Sequence, residues 1–394
     1  MISNYLKPQI KRTFVLGIIF ILMLGIKGMA QSIPIDSLYL GQAPPDNTPK
    51  IFKFAVSSGT FAAERIAISN DGADIYYSSI RSYYPVKGSI TKRYHYDGDK
   101  WTGPYIVFEN YFAPALSNSG DTMFVEWQHK SYISIRSGFI WSEPHNILSK
   151  IDSAHYFQVS NSGNYYVSAR SKPTIGMADW CRIEIKGKDT TAVSLGRPIN
   201  HKGDNLDFFI AKDESFMIVT HPTGLGVSFP KKNGEWTNPR NLGPKINFGL
   251  GMWGTYVTSD NKYLFYTTGT KEDYSDVNIY WVRIDRLIDS LKITNLAPYL
   301  KVLIPNQKAL LGKQFNFKVP DSIFFDDDSS KPLIYSAMLI DGKPLPSWLV
   351  FDSSSKTFTG TPSKLGEIKI KVIASDDKNA SVACPFVLDV KTSL

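Results

Sequence analysis

Cysteine is nearly absent from this sequence: 394 residues hold only Cys181 and Cys384. A disulfide framework is thereby excluded. Two buried free thiols acting as small hydrophobes are expected, with pairing across domains as the alternative. Charge is sparse too, at 20% of residues, and no dense Lys/Arg stripe occurs, so nucleic acid is not expected as a partner. The sequence has no His-Glu-x-x-His, no Gly-x-Ser-x-Gly, no glycine-rich phosphate loop and no Cys-x-x-Cys. The histidines at 95, 129, 145, 201 and 221 show no metal-ligand spacing. These absences weigh only weakly against an enzyme, because carboxylates can be assembled from separate repeats.

Long apolar runs are limited to one, Phe14 to Ile26, behind the basic residues Lys7, Lys11 and Arg12 and ahead of Gly28-Met29-Ala30. It is shorter than the ~20 residues that span a bilayer, which points to a secretory signal over residues 1–30 with cleavage after Ala30. Gln31 stands where lipid attachment would need cysteine, and no later segment approaches a membrane span. Lys7, Lys11, Arg12 and Lys27 carry four of the net +8 charges, which leaves +4 for the remainder. A periplasmic or extracellular, cell-surface location is expected.

Aromatic residues are plentiful at 13%, and they recur periodically. Five segments share an apolar strand, a Ser/Asn/Asp/Gly turn and a Tyr/Phe-rich strand, with Ser69, Ser117, Ser160, Ala211 and Ser259 at equivalent places. Their spacings of 48, 43, 51 and 48 residues fit a four-stranded propeller blade. Trp101-Thr102-Gly103-Pro104, Trp141-Ser142-Glu143-Pro144 and Trp236-Thr237-Asn238-Pro239 form a second repeat, read as inter-blade core. Leu195-Gly196-Arg197-Pro198 and Leu242-Gly243-Pro244-Lys245 form a third. The fold expected is all-β, a five-bladed or six-bladed β-propeller over residues 31–296. Pro49 to Phe54, which lacks a hairpin of its own, is read as the strand completing the last blade. The hairpins, and the closing Asp276-Val277-Asn278-Ile279-Tyr280-Trp281-Val282, resemble the WD-like repeats of TolB-type propellers in bacterial envelope proteins.

Beyond a short helical stretch at Arg286–Lys292 the pattern changes to short alternating strands, which implies a two-sheet β-sandwich over residues 297–394. Phe325-Asp326-Asp327-Asp328, Leu345-Pro346-Ser347-Trp348-Leu349 and Phe358-Thr359-Gly360-Thr361-Pro362 resemble a dystroglycan-type cadherin-like, Ig-like domain. That resemblance implies that Trp348 fills the core and that Gly360 and Pro362 shape a turn. It also implies calcium as the one possible cofactor, held by Asp326, Asp327, Asp328, Asp376 and Asp377, against the plainer role of capping loops.

Aligning the repeats places Glu64, Arg65, Phe112, His155, Tyr156, Asp207, Trp253 and Tyr256 on or near the innermost strands. As a channel site they would grip a sugar or peptide by stacking and hydrogen bonding; the plainer role is to fill and hydrate a narrow channel. The leading functional reading is a non-enzymatic binding or scaffolding protein whose partner is an envelope or extracellular protein or a glycan. The alternatives are a hydrolase or lyase using Glu64, Asp207 and His155, and a structural adhesion protein.

Overall fold

The computed structural model describes residues 33–393 except 84, 188 and 330; the expected signal over residues 1–30 lies outside the described residues. Contacts divide the chain into two compact units, up to Leu291 and from Lys292. The division falls just ahead of the boundary drawn from composition because Asn295 and Leu296 bond to Asp376 and Asp328 of the second unit.

The first unit is a β-propeller. Its first sheet runs outward through Phe61–Ile68, Asp74–Ile80, Ile90–Tyr96 and Trp101–Glu109, and four further sheets repeat the antiparallel order, the second with an extra short strand, Ile140–Trp141, on Lys130–Ser137. Their innermost strands are Phe61–Ile68, Phe112–Leu116, His155–Val159, Phe208–Ile210 and Met252–Val257, each in contact with the next, and the last with the first. A separate apolar cluster fills each gap between neighbouring sheets; Phe124, Phe157 and Val167, for example, lie between the second and third. Both faces of each sheet are therefore covered, which is why second strands such as Met217-Ile218-Val219 read as continuous apolar runs. Trp236 is core as expected, while Trp101 and Trp141 are half-buried.

The turns behave as their composition dictates. Ser69 Oγ accepts from Asp74 N at 2.8 Å, and the Ser69 carbonyl accepts from Gly72 N, whose φ of 76° suits glycine. Ala211 and Glu214 make the same i to i+3 bond in the fourth repeat, with Glu214 at φ 58°. In the fifth repeat the equivalent residue is Thr258, not Ser259: its carbonyl accepts from Asn261 N and its hydroxyl from Tyr263 N.

Lys50–Ile51 pairs antiparallel with Trp281 and Tyr280, so a strand from before the first sheet completes the fifth. Phe52 follows it into the core, with Phe265 and Trp281 rings edge-on at 5.2 and 5.1 Å. The helix Asp285–Ile293 then closes over the gap between the fourth and fifth sheets through Leu287, Ile288 and Leu291.

The second unit is a sandwich of a four-stranded sheet (Gln307–Leu310, Ser381–Lys391, Gly366–Ser375, Ile334–Leu339) and a three-stranded one (Phe315–Lys318, Thr357–Gly360, Leu349–Asp352). Phe358, Ile370, Val372, Phe386 and Leu388 centre its core. Two expectations are corrected here. Trp348 is only partly buried at the margin, because Leu349 and Phe358 occupy the centre. Gly360 ends a strand and does not shape a turn: a Cβ there would lie 1.9 Å from the Trp348 carbonyl oxygen, so close strand approach demands it. Cys181 and Cys384 are both buried and free, one in each unit.

Phe52→Ala should loosen ring closure, at a cost of about 3–5 kcal/mol. Urea unfolding of the full chain measures it; a loss under about 1 kcal/mol would show that the ring does not depend on this strand.

Candidate functional site

The centre of the propeller is built by one backbone irregularity repeated. Four of the five innermost strands shift register against their neighbours, around Glu64, Ala113, Tyr156 and Gly254. These residues hold φ values of 69°, 51°, 53° and 62°. A bulge takes an N–H out of the ladder and offers it elsewhere. Ala113 N donates to Ser78 Oγ at 3.1 Å, Tyr156 N to Glu126 Oε2 at 3.2 Å, and Gly254 N to Asp207 Oδ2. Each acceptor belongs to the preceding sheet or its approach. Gly254 is required for closeness as well, since a Cβ would stand 2.2 Å from the Glu64 carbonyl carbon.

Side chains complete the tie. Glu64, 3% exposed, accepts from Tyr83 Oη at 2.7 Å and Tyr156 Oη at 3.0 Å. Asp207, 1% exposed, accepts from Gly254 N, from Thr255 Oγ1 at 3.3 Å and from Arg65 Nη2 at 3.4 Å. Arg65 also donates to the carbonyls of Phe208 and Thr255, and its guanidinium lies 4.9 Å above the Tyr156 ring. His155 Nδ1 meets Glu126 Oε1 at 2.6 Å.

Burial pushes the Glu64 carboxyl up to about 8, reinforced by the charge of Asp207. Asp207 is raised to about 6, again by burial, against the pull of Arg65 and the Gly254 N–H. For His155, burial alone favours the neutral ring, but the charge and hydrogen bond of Glu126 overcome it and the net direction is upward. Such an enclosed set can hold protons and lock sheets together. Glu64 and Asp207 are both buried, and both carboxyl oxygens of each accept hydrogen bonds.

The residues picked from the sequence therefore separate. Glu64, Arg65, Tyr156 and Asp207 meet at the centre, and His155 joins through Glu126. Trp253 lies toward the strands' starting ends, against the rings of Tyr83 at 5.0 Å and Tyr274 at 5.6 Å. There it lines, with Asp204, Asp207, His221 and Asn247, a cavity of about 490 Å³. Tyr256 lies at the opposite end, donating to the Ile68 carbonyl at 3.3 Å. Phe112 packs against a buried apolar cluster that contains Tyr156 and Trp180. Sequence reasoning passed over Glu126, Tyr83 and Gln158. Glu126 had a visible signal: at its place in the second strand the other repeats carry Ser78, Ser168, Thr220 and Thr267.

In the second unit the five aspartates serve loops. Asp326 Oδ1 accepts from the N–H groups of Asp328 and Ser329, and Asp376 Oδ1 from those of Lys378 and Ala380. Asp327 accepts from Tyr299 Oη and Asp377 from Ser329 Oγ. Asn295 Oδ1 and Asp326 Oδ2 are buried without a hydrogen-bond partner. Among the described residues no three acids, histidines or cysteines are grouped to hold a metal ion. Loop capping is the role these hydrogen bonds serve.

Two outcomes follow. A carboxyl raised on folding stabilises in its neutral form, so the Glu64 contribution is complete below the ordinary carboxyl range and is lost as pH rises through about 8. Glu64→Gln should gain more than about 1 kcal/mol on the wild type between pH 5 and pH 9, since a tenfold change in proton affinity is worth ~1.4 kcal/mol. Urea titrations across that range read it, and parallel pH dependences would refute it. Asp376→Ala should lower the melting temperature equally in millimolar calcium and in chelator; a loss confined to calcium would reinstate the metal.

The family described as "Putative Ig domain" matches residues 297–391. No curated protein matches the chain. Among solved structures, TolB from Acinetobacter baumannii is similar at 11% identity over 56% of this chain and 54% of that one, with a TM-score of 0.36. What is described as the extracellular domain of a hybrid two-component system from B. thetaiotaomicron is similar at 11% identity over 86% of this chain and 46% of that one, also at 0.36. Kuenenia stuttgartiensis hydrazine synthase is similar at 11% identity over 54% of this chain and 70% of that one, at 0.32. The chain thus spans less than two thirds of the first two.

Proposed function

We propose that this chain is an exported, non-enzymatic binding protein whose propeller takes an extended segment of an envelope or extracellular protein along the outer edge of its first sheet. One observation carries the reading: an apolar groove lies beside a free strand edge. Trp101–Glu109 ends the order of its sheet, so one row of its backbone groups is unpaired within the sheet. On that strand Tyr105 and Ile106 are 53% and 60% exposed; Phe139 and Ile140, in the hairpin after Lys130–Ser137, are 69% and 76% exposed. With Arg93, Val107 and Trp141 they line a groove of about 390 Å³.

Arg93 and Arg136 lie 5.7 and 5.9 Å from the Phe139 ring and share the one carboxylate of Asp74, so a net positive charge frames the groove. Contiguous exposed apolar surface of this kind marks interaction sites, and an extended segment adds to a free edge by main-chain hydrogen bonds. The signal read at residues 1–30 supports export, and no described helix is long and apolar enough to cross a membrane. The finer likeness of the second unit to dystroglycan-type cadherin-like domains, carried by Leu345–Leu349 and Phe358–Pro362, supports a spacer or adhesion role beside the propeller. A second reading, a glycan bound in the propeller, rests on the cavity that Asp204, Asp207, His221 and Trp253 line.

Ile106→Asp and Phe139→Asp, both at exposed positions, should each weaken binding of extended apolar peptides at least about tenfold, ~1.4 kcal/mol, without changing the melting temperature. Fluorescence anisotropy with a peptide panel measures this. Unchanged affinity in both variants, or binding of oligosaccharides alone, would overturn the protein reading in favour of the cavity.

A further inference from the structure

At the turn-bearing end of the inner strands the propeller carries two cations around a small cavity. The residue after each turn residue is Asn70, Asn118, Asn161, Lys212 and Ser259 in the five repeats. Asn70 and Asn118 reach sideways to neighbouring turns, donating to the carbonyls of Asn118 at 2.5 Å and Ser160 at 3.0 Å. Lys212 breaks the pattern. Its ammonium donates to the carbonyls of Leu116 at 2.9 Å and Val159 at 3.1 Å, so two of three N–H groups are used, both on neutral acceptors. Among the described residues no carboxylate pairs with it.

Arg65 lines the same cavity of about 50 Å³, together with Gln158, Tyr256 and Ser259. Its side chain is only 2% exposed, and while Nε and Nη2 are bonded, Nη1 is buried with no hydrogen-bond partner. Buried guanidinium donors are normally satisfied, and an unused one beside a second cation is a place for an anion. The volume admits one small group and not a sugar ring.

We propose that this cavity binds one small oxyanion, a carboxylate, phosphate or sulfate group, held between Arg65 Nη1 and the free N–H of Lys212. The site shares no residue with the apolar groove and stands whether or not that groove binds protein. Burial lowers the Lys212 ammonium to about 8, with Arg65 adding to the effect, and a bound anion would relieve both.

The test uses the full chain, titrated with sulfate, inorganic phosphate and acetate against chloride at equal ionic strength, followed by thermal shift and calorimetry. At least one oxyanion should give a saturable stabilisation beyond chloride; the three arms separate tetrahedral from planar anions. Lys212→Met should weaken it tenfold or more, and Lys212→Arg should retain it. Stabilisation no greater than chloride with all three, or wild-type affinity in Lys212→Met, would overturn the site. If Lys212→Met does not fold, Ser259→Asp, an exposed rim position, sets a competing carboxylate beside the cations. Tenfold weaker binding there supports the site, and unchanged affinity refutes it.

Discussion

The propeller depends on a backbone N–H turned out of its own sheet. In an ordinary ladder the innermost strand bonds its one neighbour with one row of its backbone groups, and the other row is left unpaired within the sheet. The bulges at Ala113, Tyr156 and Gly254 release one amide each, and Ser78, Glu126 and Asp207 receive them. Positive φ at non-glycine residues is costly, so such bulges persist only where the surroundings over-determine them. Here the surroundings are the apolar clusters between sheets, which fix the spacing at which the released amides can bond.

Enclosing acids at this junction has an electrostatic consequence. Glu64 and Asp207 face each other's charge while almost fully buried, and among the described residues Arg65 is the cation that reaches Asp207. The fold meets this by raising the proton affinity of both carboxyls and aiming tyrosine hydroxyls at Glu64. Perturbed carboxyls of this kind are often read as catalytic, and structural ion-pair and hydrogen-bond networks perturb carboxyls too. Beyond it, the two ends of the inner strands differ in sign: His221 and Asp204 stand at one, Lys212 at the other.

Much of this was legible in the residues. The repeat length and the Ser-Asn-Gly hairpins follow from local chemistry, because turn type and strand pattern are short-range properties, and the completing strand near Phe52 was legible because Pro49 to Phe54 has no hairpin of its own. The bulges were not legible, since Glu64, Ala113 and Tyr156 carry no residue preference for positive φ and owe it to tertiary packing. The same limit placed the fifth turn one residue late: Ser259 resembles Ser69, but the hydroxyl that closes the turn is that of Thr258. Glu126 escaped because its meaning lies in replacing a hydroxyl that its counterparts keep, which shows only when the second strands are set side by side. Gly360 shows the converse error, a glycine credited to a turn when neighbouring backbone demands it.

The pairing of Lys50–Ile51 with Asn278–Arg283 sets a timetable for the molecule. A ribosome or export channel delivers the first of these strands long before the second, so the early strand waits without a partner through four sheets' worth of chain. Its waiting edge is short, two residues opening with lysine, and offers little to a stray neighbour. Assembly of the ring is thereby tied to arrival of the whole propeller. Long-range pairing of this kind is slow to form, and a chain cut short inside the fifth sheet would be left with both ends of its circle open.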